Sequence, residues 1–201
     1  PNILVVLTSQ AIIPATRAPT DGTWSVVSHH IPYPDPLIPA NLKKQPELAH
    51  PHSVLAPKAT LTVVSPEGGE APLDPNSIQM SKDDSVATTF LEKEKPLWTN
   101  TLKLKEIVGR EEAFDGVFFV GGHGRMLPFP SFLPLVQFSV ESQADQPVGT
   151  AMFDLVSNPV SLALIQSFAA AKKPIAAVCH GPAALLNATA PSGIPLINSA
   201  A

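Results

Sequence analysis

One cysteine, Cys179, is the whole thiol content of this chain, so no internal disulfide can form and a reducing compartment is expected. Charge is also sparse. Asp, Glu, Lys and Arg make up 15% of the residues, the formal net charge is −4, and the lysine pairs Lys43-Lys44 and Lys172-Lys173 are isolated. Nothing forms the basic stripe that nucleic acid or an anionic membrane surface requires. No apolar run reaches the length of a membrane span. No basic region precedes the first apolar run and no cleavage-site pattern follows it. The expected protein is soluble and cytoplasmic, with the nucleus as a second location.

What is present suits a globular protein. Hydrophobic residues make up 44% of 201 positions, enough for one sizeable core in one domain. Short apolar runs rich in β-branched residues fall at 3–7, 59–64, 116–120 and 175–178, as strands buried on both faces require. Helical patterns lie between them at 83–95, 102–112 and 159–172. The last opens with Pro159 after Asn158, a suitable N-cap. This alternation predicts an α/β fold, a three-layer sandwich around a mainly parallel sheet. Ligands of such sheets bind at the carboxyl ends of the strands, where Gly121-Gly122 and Cys179 fall.

The last strand ends on Ala177-Val178-Cys179-His180-Gly181-Pro182. Small residues on either side of a nucleophile let the backbone turn tightly beneath an exposed side chain, the layout of a nucleophile elbow. A helix starting there would favour thiolate over thiol. The plainer reading of a lone cysteine at a strand end is a small buried hydrophobe. The adjacent histidine and the strand-to-helix punctuation favour a site.

Several segments together resemble the ThiJ/PfpI superfamily, with the class I glutamine amidotransferase-like (flavodoxin-like) fold. Within it, they are similar to the fungal-type glutathione-independent glyoxalases, also called glyoxalase III or D-lactate dehydratases. These segments are Ala177-Val178-Cys179-His180-Gly181-Pro182, the run from Phe114 to Gly124, Pro46-Glu47-Leu48-Ala49-His50-Pro51, and the turn from Pro66 to Pro75. The resemblance implies Cys179 as nucleophile, His180 as its neighbouring acid/base and Glu47 as the proton-shuttling carboxylate. It also implies an oxyanion site formed by the backbone N–H groups of Gly122 and His180, with Gly121 and His123 lining the pocket. The implied substrate is a small α-oxoaldehyde such as methylglyoxal or glyoxal, converted to D-lactate in the methylglyoxal case. No metal, cofactor or glutathione is implied, and homodimerisation is common in the superfamily. The same resemblance leaves open a stress-response holdase chaperone or redox sensor, and a Cys-His hydrolase or protein deglycase.

Outside that resemblance the candidate residues have plainer readings. Glu47 alone would be a solvated carboxylate. Gly121-Gly122-His123-Gly124 lacks the dinucleotide-binding spacing. His29-His30 and the His50/His52 pair could ligate zinc, but no cysteine or carboxylate stands at a telling spacing, which favours accidental pairing. Glu67 and Glu70 flank turn glycines and are expected at the surface.

Two stretches break the rhythm. Residues 25–45 are Pro-rich and aperiodic, and residues 125–149 mix Pro with aromatics before becoming polar. Long structureless stretches are uncommon in compact domains. Removing each would bring family-like sequence together across the junction, so both fit retained introns that have been translated; real lid loops over the pocket are the rival reading. The family pattern also continues past Ala201, so a C-terminal part is expected to be missing. With it would be missing the acid that orients His180.

Overall fold

The computed structural model describes residues 1–10, 24, 27–29, 44–122 and 153–199. The chain opens with β1 (Asn2–Val6). A short ribbon follows, β2 (Val27–His29) against β3 (Lys44–Pro46), then α1 (Ala49–Leu55), β4 (Thr60–Ser65), α2 (Pro75–Met80), α3 (Ser85–Lys93) and α4 (Pro96–Thr99). The rest comprises β5 (Leu102–Lys103), β6 (Gly116–Phe119), α5 (Phe153–Val156), α6 (Pro159–Ala170), β7 (Ile175–Ala177) and α7 (Leu196–Ser199).

Five strands form one parallel sheet in the order β5-β4-β1-β6-β7. The alternation of β1 explains the layering. Leu4 and Val6 point into a core with Val117, Phe119, Leu155 and the α6 residues Leu164, Ile165 and Phe168. Val5 and Leu7 point the other way, toward Leu48, Ala49, Ala87, Phe90, Trp24 and Trp98. Each face of the sheet is therefore packed against helices, and a strand covered on both sides must be apolar at every position. The α/β flavodoxin-like architecture expected from the sequence is the one observed.

The apolar runs at 3–7, 59–64, 116–120 and 175–178 become β1, β4, β6 and β7, each within two residues of expectation. Helix α6 begins where Asn158 indicates, its Oδ1 accepting from the N–H groups of Val160 (2.9 Å) and Ser161 (3.3 Å). The helix expected over 102–112 is absent. Its place is taken by the edge strand β5 and two 3₁₀ turns, Leu104–Glu106 and Glu111–Ala113. The i, i+3 spacing of Leu104 and Ile107, both buried, is satisfied by a single turn, and Gly109 at φ +80° takes the chain out of helical geometry.

The stretch at 25–45 is not wholly irregular. Its two ends pair antiparallel, Val27 with Pro46 and His29 with Lys44, so the segment leaves and returns side by side. The second odd stretch, 125–149, and His123 lie outside the described residues, as does His30; of His29 only the backbone is described. Among the described residues no helix is long and apolar enough to cross a membrane.

Candidate active site

Strand β7 delivers the nucleophile candidate. The ladder to β6 extends one bond past the strand, Val178 N–H donating to the Phe119 carbonyl at 3.1 Å. The chain then reverses at Cys179, whose φ of +55° lies in the left-handed region that a side-chain-bearing residue occupies at a cost of roughly 1–2 kcal/mol. Gly181 N–H closes the turn onto the Val178 carbonyl at 2.8 Å. Two glycines make this possible. A Cβ at Gly121 would collide with the Val178 carbonyl oxygen and lie 2.7 Å from the His180 nitrogen. One at Gly181 would lie 2.5 Å from the Phe119 carbonyl oxygen. The loop after β6 and the elbow after β7 are thus in backbone contact, which places Gly121-Gly122 beside Cys179-His180.

The helix expected after the elbow is instead a 3₁₀ segment, Gly181–Leu185, continued by i→i−3 bonds at Leu186 and Ala188. So few peptides build a smaller dipole than a long α-helix, and less of the thiolate's support comes from this source than the sequence suggests.

His180 Nδ1 lies 2.8 Å from the Gly122 carbonyl oxygen and 3.4 Å from Cys179 Sγ. A carbonyl only accepts, so Nδ1 carries the hydrogen and points it at Gly122, with the sulfur as a second, longer acceptor. In this tautomer Nδ1 cannot take a proton from the thiol. Proton transfer through the imidazole would use Nε2.

Glu47 sits where β3 hands over to α1, and it is fully buried. Burial pushes its carboxyl from an ordinary 4.5 up to about 8. The Cys179 thiol beside it offsets part of that shift, and the nearby Asp74 carboxylate adds to it. Among the described residues no donor of ordinary hydrogen-bond geometry reaches either carboxyl oxygen. The thiol is a weak donor, which is why desolvation dominates. At neutral pH the folded protein therefore holds Glu47 mostly protonated, next to its only thiol.

The structure brings together Cys179, His180, Glu47, Gly121 and Gly122. The histidines considered as zinc ligands part company. His50 Nε2 pairs with Asp84 Oδ2 at 2.8 Å, while the His52 ring packs edge-on against Phe90, 5.1 Å between centroids. Burial lowers the His52 value, with the nearby Glu94 carboxylate opposing that shift. Among the described residues no group of three or more His, Cys, Asp or Glu side chains could hold a metal ion. Glu67 and Glu70 are exposed, as expected.

Sequence reasoning assigned no role to three carboxylates. Asp74 lies near Glu47, and Asp84 accepts from Val86 and Ala87 N–H in the helix that follows it. Asp154 accepts from Thr8 Oγ1 (2.5 Å) and Ser9 N–H (2.7 Å), and burial raises it to about 6. Nothing in the residues flanking Asp74 or Asp154 signals a partner so far along the chain. Only the Asp84 pattern, Asp followed by Ser-Val-Ala, carries a local mark, that of an N-cap.

Solved structures share this architecture. Rapid Encystment Protein 24 kDa (REP24) from Francisella tularensis is 25% identical, with a TM-score of 0.65 over 98% of this chain and 66% of its own. The likeness establishes the fold. Glyoxalase III from Candida albicans superposes with a TM-score of 0.61 at 18% identity, over 98% of this chain and 64% of its own. The chain thus spans somewhat under two thirds of that protein's length. Both likenesses are of fold, and it is the fold that the superfamily resemblance implies. No family model and no curated protein matches the sequence.

Proposed function

We propose that the chain carries the active site of a cysteine-dependent, glutathione-independent glyoxalase of the ThiJ/PfpI superfamily, with methylglyoxal-type α-oxoaldehydes as substrates. The observation that carries this reading is a buried, largely protonated Glu47 beside Cys179, itself held on a strained elbow. The Candida albicans neighbour, itself a glyoxalase III, adds weight.

In the proposed reaction Cys179 sulfur adds to the aldehyde carbon, and the carbonyl oxygen takes up a proton to give a hemithioacetal. The hydrogen on that carbon then leaves as a proton and the neighbouring ketone carbon gains one, through an enediol. The product is a thioester of a 2-hydroxy acid. Water cleaves it, returning the thiol and releasing the acid. The sum is one α-oxoaldehyde plus one water, with no oxidant or reductant. A group with a value about 8 keeps both its proton forms populated near neutral pH, which is what moving a proton between adjacent carbons requires of Glu47. His180 Nδ1–H supports charge on sulfur, and backbone N–H groups of Gly122 and His180 are the proposed oxyanion donors.

D-lactate formation from methylglyoxal without glutathione tests this. Turnover should be lost in Cys179→Ala and should fall by about 10²-fold or more in Glu47→Gln. Turnover that persists in Cys179→Ala would refute covalent catalysis. A holdase role is the second reading, favoured by the exposed Leu186, Ile194 and Ile197 in the segment after the elbow. Suppression of client aggregation that survives Cys179→Ser would support it.

A further inference from the structure

Among the described residues Glu47 finds no hydrogen bond of ordinary geometry to hold its carboxyl in place, so its aim must come from the backbone that carries it. That backbone is the junction into α1. Leu48 occupies the N-cap position with no side-chain cap, so the usual restraint on a helix start is missing. The buried Leu48 and Ala49 hold the turn down, but apolar contacts are non-directional. A directional tie from this turn to another element is made by His50, whose Nε2 lies 2.8 Å from Asp84 Oδ2. Asp84 is itself well anchored. Its Oδ1 accepts from Val86 and Ala87 N–H, both at 3.0 Å, and its own N–H donates to the Ser81 carbonyl at 2.9 Å. One carboxylate thus fixes the start of α3 and, through His50, the start of α1.

We propose that His50 is a positioning residue: bonded to the anchored Asp84 carboxylate, it sets the approach of Glu47 to the Cys179 sulfur. The inference rests on the Glu47–Cys179 pairing of the proposed site and not on the substrate. His50 is partly exposed, and exposed ion pairs add little to stability, so the tie can be cut without unfolding the protein.

The single cysteine makes a clean test, because the rate of alkylation by iodoacetamide reports one thiol. The pH profile of that rate is measured for the wild type, Glu47→Gln, His50→Ala, His50→Gln and the Glu47→Gln/His50→Ala double variant, with thermal melts as a control on folding. His50→Ala should displace the profile in the same direction as Glu47→Gln by about half a pH unit or more, roughly threefold in rate at fixed pH. The double variant should move no further than Glu47→Gln alone, and His50→Gln should restore most of the wild-type profile. If His50→Ala does not fold, Asp84→Ser serves in its place: serine still caps α3 but is too short to reach His50. A His50→Ala profile that overlays the wild type while Glu47→Gln moves would overturn the positioning role alone. Additive shifts in the double variant would overturn it as well. A Glu47→Gln profile identical to the wild type would remove the Glu47–Cys179 pairing and both readings with it.

Discussion

Glu47 is the residue whose burial has the most measurable consequence. Its folded value, about 8, lies above its ordinary 4.5, so the folded state keeps a proton that the unfolded chain has released over that interval. The stability this group contributes is complete below about pH 4.5 and is lost as the pH rises through about 8, at up to about 1.4 kcal/mol per unit. Glu47→Gln removes the ionisation and keeps the shape. It should melt higher than the wild type above pH 8, with the gap closing in acid; equal melting temperatures at both ends would contradict the burial argument. Cys179 offers a complementary test of strain. With φ at +55°, Cys179→Gly should stabilise the fold by about 1 kcal/mol, while Cys179→Ala keeps the same backbone cost, a contrast that denaturant titration resolves. At this scale the sequence was partly legible. The elbow announces itself because its tight geometry demands small neighbours at fixed spacing, Ala177 and Gly181. Glu47 has no such local mark; it stood out only through family resemblance, because burial is set by distant residues. The His50–Asp84 pair spans 34 positions, and no local rule reaches that far.

Among the elements, two side chains, Asp154 and Ser9, join the carboxyl ends of β1 and β4 to the start of α5. Asp154 accepts from Thr8 and Ser9 just past β1, and Ser9 Oγ in turn accepts from Glu67 N–H just past β4, at 3.0 Å. Asp154→Ala should cost about 1–3 kcal/mol, since it leaves two donors without their acceptor, and should speed hydrogen exchange at Ser9 ahead of the sheet core. Uniform exchange across β1 in that variant would show that the clamp is not local. Buried central strands were readable because a strand covered on both faces must be apolar throughout. The edge strand β5 was not: with two residues, both exposed, it carries no such pattern, and the apolar spacing around it imitates a helix.

For the molecule as a whole, the order β5-β4-β1-β6-β7 puts the first strand in the middle and sets β6 and β7 side by side, so the two glycine-containing turns meet. Alternating strands and helices in the sequence implied a parallel sheet. The order of its strands depends on packing between distant segments and could not be read in advance. The stretches at 25–45 and 125–149 remain, as a proposal, translated introns. Transcripts should lack both, and reads carrying them in frame would favour loops that belong to the mature protein. The pairing of Val27 with Pro46 has a consequence of its own. Val27 and Pro46 stand opposite each other on one rung, and Glu47 follows directly after it. Chain added or removed beyond the His29–Lys44 rung should therefore leave the carboxyl that follows in place. The ribbon would then act as a socket, one place in this architecture where evolution or a protein engineer could change the length of the chain and leave Glu47 where it was.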